Sequence, residues 1–181
     1  MENHETASLA SRLAAWIQRY RIILLAGAGT LVAVLIILGI ISAAQSAKAE
    51  KADDFLVEFE KSYSEWSSAD EDSRAALAET LRQQFDTLDG EYSGTYPHQR
   101  GLFLMGDYYY SEEEWASAVE TYGRLSEEYP RSYLAPVALF NSAAAEEEAG
   151  RPTEALARYA LVSEEYSSSP LAPRALFAAA R

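Results

Sequence analysis

The sequence predicts an all-α chain in which a single N-terminal transmembrane helix is followed by an α-solenoid of antiparallel helix hairpins. Three observations carry that expectation. Ile22 to Ile41 runs for twenty residues without a charge and is dominated by Ile, Leu, Val, Ala and Gly, the length a helix needs to cross a hydrocarbon core. The stretch from Tyr122 to Phe140 recurs thirty-seven residues later from Tyr159 to Phe177, with Tyr, Ser-Glu-Glu-Tyr, Leu-Ala-Pro and Ala-Leu-Phe in register; the opposite shift lands on Phe85, Leu88, Tyr92, Leu102 and Phe103. A period in the 20 to 50 range marks stacked repeats. Between these landmarks the apolar residues follow helical spacing.

Residues 1–21 form the first segment. Leu9, Leu13, Trp16, Ile17 and Tyr20 fall on one helical face with Ser11, Arg12, Gln18 and Arg19 between them, an amphipathic lead-in whose Trp16 and Tyr20 suit the headgroup zone. This segment has net charge +1, whereas residues 48–181 carry 12 basic and 26 acidic residues, a net −14. Arg19 and Arg21 abut the apolar run, and the positive-inside rule therefore places residues 1–21 in the cytoplasm, residues 22–41 across the membrane and the long tail beyond it. A cleaved signal peptide ending near Ser42-Ala-Ala44 is the competing reading. Against it, the apolar run exceeds the roughly 7–15 residues of a signal core. Gly27, Gly29 and Gly39 make no clean Gly-x-x-x-Gly pair and read as ordinary membrane-helix glycine usage. With no cysteine in the chain, neither a lipid-bearing cysteine nor a disulfide is available.

Residues 42–49 read as a stalk that continues the helix. Residues 50–97 read as an irregular hairpin. Its first helix presents Phe55, Leu56, Phe59, Tyr63 and Trp66. Ser67 to Asp72 is a break that supplies a cap and an acidic first turn. The second helix carries Leu77, Leu81, Phe85 and Leu88 and is expected to end near Gly90. Gly94-Thr-Tyr-Pro97 is expected to be a turn, since Pro97 has no N–H to donate.

Residues 98–181 hold the repeats, and here the residues resemble the tetratricopeptide repeat. Leu102, Met105, Gly106 and Tyr109 fall where that motif has W, L, G and Y, and Ala118, Tyr122, Leu125 and Pro130 where it has A, F, A and P. The second unit offers Leu139, Ala143, Gly150, Ala155, Tyr159 and Val162, with Glu146 in place of the aromatic and Ser167 in place of the proline. Glu113 stands where the second unit has Gly150, so the first hairpin turn is expected to lack a left-handed residue. Ala118 and Ala155 mark close helix approach, with Tyr122 and Tyr159 filling the space one turn on. Leu171 to Arg181 repeats the opening of a further first helix, with Leu176 and Phe177 offering no polar outer face. The array is therefore expected to be incomplete at its C-terminus, or covered there by a partner.

Residues that could carry chemistry are few. His4 and His98 are the only histidines, which excludes a His-x-x-x-His metal pair and a conventional triad; no phosphate-binding Gly-Lys loop is present. The acid clusters Glu112 to Glu114, Glu127-Glu128, Glu146 to Glu148 and Glu164-Glu165 lack calcium-loop spacing and read as solvated faces. The acidic tail disfavours nucleic acid. No cofactor, no metal, no small-molecule substrate and no enzymatic activity are expected. The resemblance makes Tyr109 a core residue and places Arg100, Phe103, Asp107 and Tyr110, with Val137, Phe140, Ala144 and Glu147 in the next unit, on the concave side where such arrays bind peptides or partner helices.

In layout the chain resembles bacterial membrane-anchored tetratricopeptide proteins of the YfgM type. That resemblance implies a single-pass protein of the bacterial inner membrane with a periplasmic C-terminal domain, ancillary to the Sec translocon and partnering a membrane-anchored chaperone. The Tyr-Pro-x-Ser and Ala-Leu-Phe joints also resemble periplasmic repeat proteins of outer-membrane assembly and cell-division coordination, which implies a scaffold as the alternative.

Overall fold

A computed structural model describes residues 2–180, with side chains in the first helix described at 14, 16, 18–23, 25–27 and from 29 onward. Leu9, Leu13 and Ile17 of the amphipathic lead-in therefore lie outside the described side chains. All regular structure among the described residues is helical: α1 Glu2–Ser68, α2 Glu71–Tyr92, α3 Tyr96–Ser111, α4 Trp115–Glu128, α5 Ala135–Glu148, α6 Pro152–Glu165 and α7 Ala172–Ala179. The chain divides into a unit ending at Ala47 and one beginning at Lys48.

In the first unit α1 holds a stretch long and apolar enough to cross a membrane, and its described large side chains from Ile22 to Ile41 are all exposed. Trp16 and Tyr20, one helical turn apart, hold their rings 5.4 Å from each other.

The second unit is a run of antiparallel helices in which α2 to α7 each pack on their chain neighbours and α3 also meets α5. Local chemistry sets the ends. Asp70 caps α2 by accepting from Ser73 N–H at 3.0 Å, with Glu71 and Asp72 in the first turn, where anions suit the positive end of the helix dipole. Prolines stand in the first turns of α3, α5, α6 and α7, where a missing N–H costs nothing. Pro97 is one of these: the turn ends at Thr95, which caps α3 through its side chain, so Tyr96 and Pro97 are helical rather than part of the turn. Likewise α2 runs on past Gly90 to Tyr92.

The sequence period is reproduced bond by bond. At the joint after each second helix, the N–H of Thr95, Ser132 and Ser169 reaches back to the carbonyl of Tyr92, Tyr129 and Tyr166 at 3.2, 2.9 and 2.8 Å. At the turn inside each hairpin, Glu114 N–H bonds to Tyr109 O and Arg151 N–H to Glu146 O, both at 2.9 Å, closing Schellman motifs. That motif needs a left-handed residue, and Glu113 supplies it with φ 61°, as Gly150 does with φ 73°. The expectation that the first turn avoids this conformation is therefore wrong. The bonding pattern of the turn selects the backbone, and glutamate bears the strain.

Two apolar clusters form the core. The larger joins Phe59 and Trp66 of α1, Leu81 and Leu88 of α2, Leu102, Met105 and Tyr108 of α3, and Ala118, Tyr122 and Leu125 of α4. The smaller gathers Leu139, Ala143, Ala155, Tyr159, Val162 and Ala175. Ala118 and Ala155 are both buried. Close approach is most severe at Gly106, where a Cβ would lie 2.4 Å from the Tyr122 ring. Tyr108, not Tyr109, is the fully buried tyrosine of the Tyr108-Tyr-Tyr110 run: Tyr108 packs edge-on to Trp66 at 4.7 Å, and Tyr109 is half-buried. Glu146, expected on a solvated face, is 4% exposed and paired with Arg151 and Arg158, which supply the cations that a buried carboxylate requires.

Candidate functional site

Helical spacing puts Arg100, Phe103, Asp107 and Tyr110 along one stripe of α3, and Val137, Phe140, Ala144 and Glu147 along the matching stripe of α5. Seven of these are half-buried and Glu147 is exposed. Arg100 donates to Glu60 at 2.8 Å and lies over the Phe103 ring at 5.9 Å. Phe103 stands edge-on to Tyr122, and Tyr110 edge-on to Trp115 at 5.0 Å. The two stripes meet at one end: Tyr110 is raised first by its burial and then by the nearby charges of Glu148 and Glu147.

In the second unit Tyr159 donates to Glu147 at 2.8 Å and packs its ring 5.0 Å from Phe140. Phe140, Ala144, Glu147 and Tyr159 then line a cleft of about 360 Å³ with Arg174, Phe177 and Ala178 of α7. Arg174 lies over Phe140 at 5.0 Å, and Phe177 is 72% exposed.

Sequence reasoning missed several residues of this face. Arg174 and Phe177 follow from the period, since they repeat the positions of Val137 and Phe140. Tyr96 and Tyr133 are one period apart, and their hydroxyls meet at 2.8 Å with the rings stacked. Glu60 and Tyr63 left no such signal, because the first helix of the soluble part does not share the repeat register.

Asp107 is the electrostatic centre of the face. Tyr122 donates its hydroxyl to Asp107 Oδ1 at 2.5 Å. Burial raises the Asp107 carboxyl above the usual carboxylate range, and the Tyr122 bond and the field of Arg100 only partly offset it. Burial and the same carboxylate push the Tyr122 phenol up.

A second polar cluster pins the α2–α3 joint. His98 is fully buried, with Nδ1 2.6 Å from the Tyr129 hydroxyl and Nε2 2.8 Å from Asp89. The Asp89 carboxylate can only accept, so Nε2 carries a proton and donates to it, and Gly94 N–H donates to the same Tyr129 oxygen at 2.9 Å. Burial alone would raise Asp89, but hydrogen bonds from Arg124 and His98 outweigh it and hold this carboxyl below its ordinary value. The cleft beside this cluster has a volume of about 390 Å³ and is lined by Gln99, Glu128, Tyr129, Pro130, Arg131 and Ser132. Among the described residues no group of His, Asp and Glu side chains is placed to hold a metal ion.

No curated protein and no solved structure matches the chain significantly. Residues 100–132, which span most of α3, all of α4 and the joint that follows, match the family described as tetratricopeptide repeat. The chain thus carries a tetratricopeptide repeat within an all-helical stack of hairpins, an architecture whose general use is protein–protein interaction.

Proposed function

We propose that the chain is a membrane-anchored interaction module of the bacterial inner membrane, its helical stack on the periplasmic side, and that the face formed by α3, α5 and α7 receives polypeptides. The observation that carries this reading is the recurrence of rings and cations at one stripe of successive first helices: Phe103 and Phe140, half-buried, and Phe177, exposed, with Arg100 over Phe103 and Arg174 over Phe140. Aromatics of this kind are rigid anchors for a bound chain. The exposed apolar stretch of α1 supports the anchor, and the arginines before it support a cytoplasmic N-terminus.

The resemblance to the YfgM type makes the Sec translocon and a membrane-anchored periplasmic chaperone the partners to test first. Photocrosslinkers placed in residues 42–66 of the membrane-embedded protein are expected to yield adducts with translocon or chaperone subunits. Adducts with outer-membrane or septal proteins from the repeats, and none from 42–66, would instead establish the envelope-scaffold alternative suggested by the Tyr-Pro-x-Ser joint.

A further inference from the structure

We infer that the face carrying Phe103 and Asp107 seats a basic side chain of the bound polypeptide, a lysine or arginine, with its cation against the second oxygen of Asp107. This rests on the reading of that face as polypeptide-binding and adds the chemistry of what it reads.

The grounds are an imbalance within the site. Asp107 Oδ1 is taken by Tyr122. Oδ2 accepts no hydrogen bond among the described residues, yet it is not one of the sealed unpartnered atoms, which are Trp66 Nε1, Arg74 Nε and Gln84 Oε1; it therefore keeps access to solvent. Among the described residues Asp107 makes no ion pair, and the cation whose field reaches it, Arg100, is engaged with Glu60 at 2.8 Å.

The groups facing it from the packed elements are Tyr63 of α1, Arg100 of α3, Tyr122 of α4 and, through Tyr122, Asn141 of α5. All but Arg100 are neutral. A carboxylate so placed is short of positive charge, and the rings of Phe103, Tyr63 and Tyr122 around it favour a cation over a neutral donor. The net −14 of residues 48–181 draws basic segments toward the domain from a distance.

The test uses the full chain in lipid nanodiscs with a capped tetralysine peptide as probe and a capped tetraglutamate peptide as control. Tetralysine is expected to bind, and D107N to weaken it about tenfold, the loss typical of a charge-assisted hydrogen bond. The amide still accepts from Tyr122, so the fold is retained. Glu79, exposed on α2, provides the comparison: E79Q is expected to leave the affinity unchanged. Equal effects of D107N and E79Q, or equal binding of both peptides, would overturn the inference as diffuse attraction to an acidic surface. If F103A and F140A abolish capture of natural polypeptides while D107N does not, the groove stands and the basic-residue reading falls. If F103A and F140A change nothing, the groove itself is wrong.

Discussion

Glu113 is the residue where local preference and tertiary demand part most clearly. A left-handed backbone costs an L-residue about 1 kcal/mol, so E113G is expected to raise stability by roughly that amount and G150A to lower it by a similar amount, as measured by chemical denaturation. The two carboxylates Asp89 and Asp107 give predictions of opposite sign. Asp89 is held below its ordinary value, so its contribution is present above the usual carboxylate pKa and is lost as pH falls through the depressed folded one. D89N should therefore melt earlier than the parent at neutral pH, with the gap closing in acid. Asp107 is raised, so it favours the folded state in acid and loses that contribution as pH rises through the raised folded pKa. D107N should accordingly melt later than the parent at neutral pH and converge with it once Asp107 is protonated. Thermal melts across a pH series check both. Asp107 is placed on the concave side by the sequence, but neither shift is legible there, because the burial of Asp107 is tertiary and the side chains bonded to the two carboxylates, Arg124 and Tyr122, lie 35 and 15 residues away.

At the scale of the helix pair, the period and the small residues were legible and the joints were not. A thirty-seven-residue repeat with Ala118, Tyr122, Ala155 and Tyr159 in register predicts antiparallel pairs, because only small side chains permit the approach that the tyrosines then fill. Gly106 sharpens this. Its absent Cβ makes room for the Tyr122 ring, whereas the second unit carries Ala143 at the same position and its Tyr159 bonds to Glu147 instead. G106A is expected to cost about 2–3 kcal/mol by overpacking, and the loss should be largely relieved in G106A/Y122L; urea unfolding of the two variants measures it. Trp66 is 1% exposed against Tyr108 and Tyr63. W66A is expected to cost about 3–5 kcal/mol. The start of α3 is misread from the sequence because Pro97 signals a turn as readily as a first helical turn, although its cap is local: Thr95 accepts from His98 N–H three residues on. The buried His98 beside that cap is held by Tyr129, 31 residues on, and Asp89, nine residues back, and no local pattern announces such partners.

For the molecule as a whole, the sequence alone makes the all-helical stack and the apolar span of α1 evident, because both are periodic or contiguous signals. The face offered by α3, α5 and α7 was only half legible: the period gives its rows and the spacing of Tyr96 and Tyr133, whereas Glu60 and Tyr63 come from packing. The central claim is that this face, and not the opposite one, holds other polypeptides. Its most direct test places a photoreactive amino acid at Phe103, Phe140 or Phe177, and for comparison at exposed Glu79 or Thr80 of α2, in the full chain in its native membrane. Polypeptide adducts should form from the three phenylalanine positions and be absent from the α2 positions. Equal yields from both sets, or adducts from α2 alone, would contradict the groove.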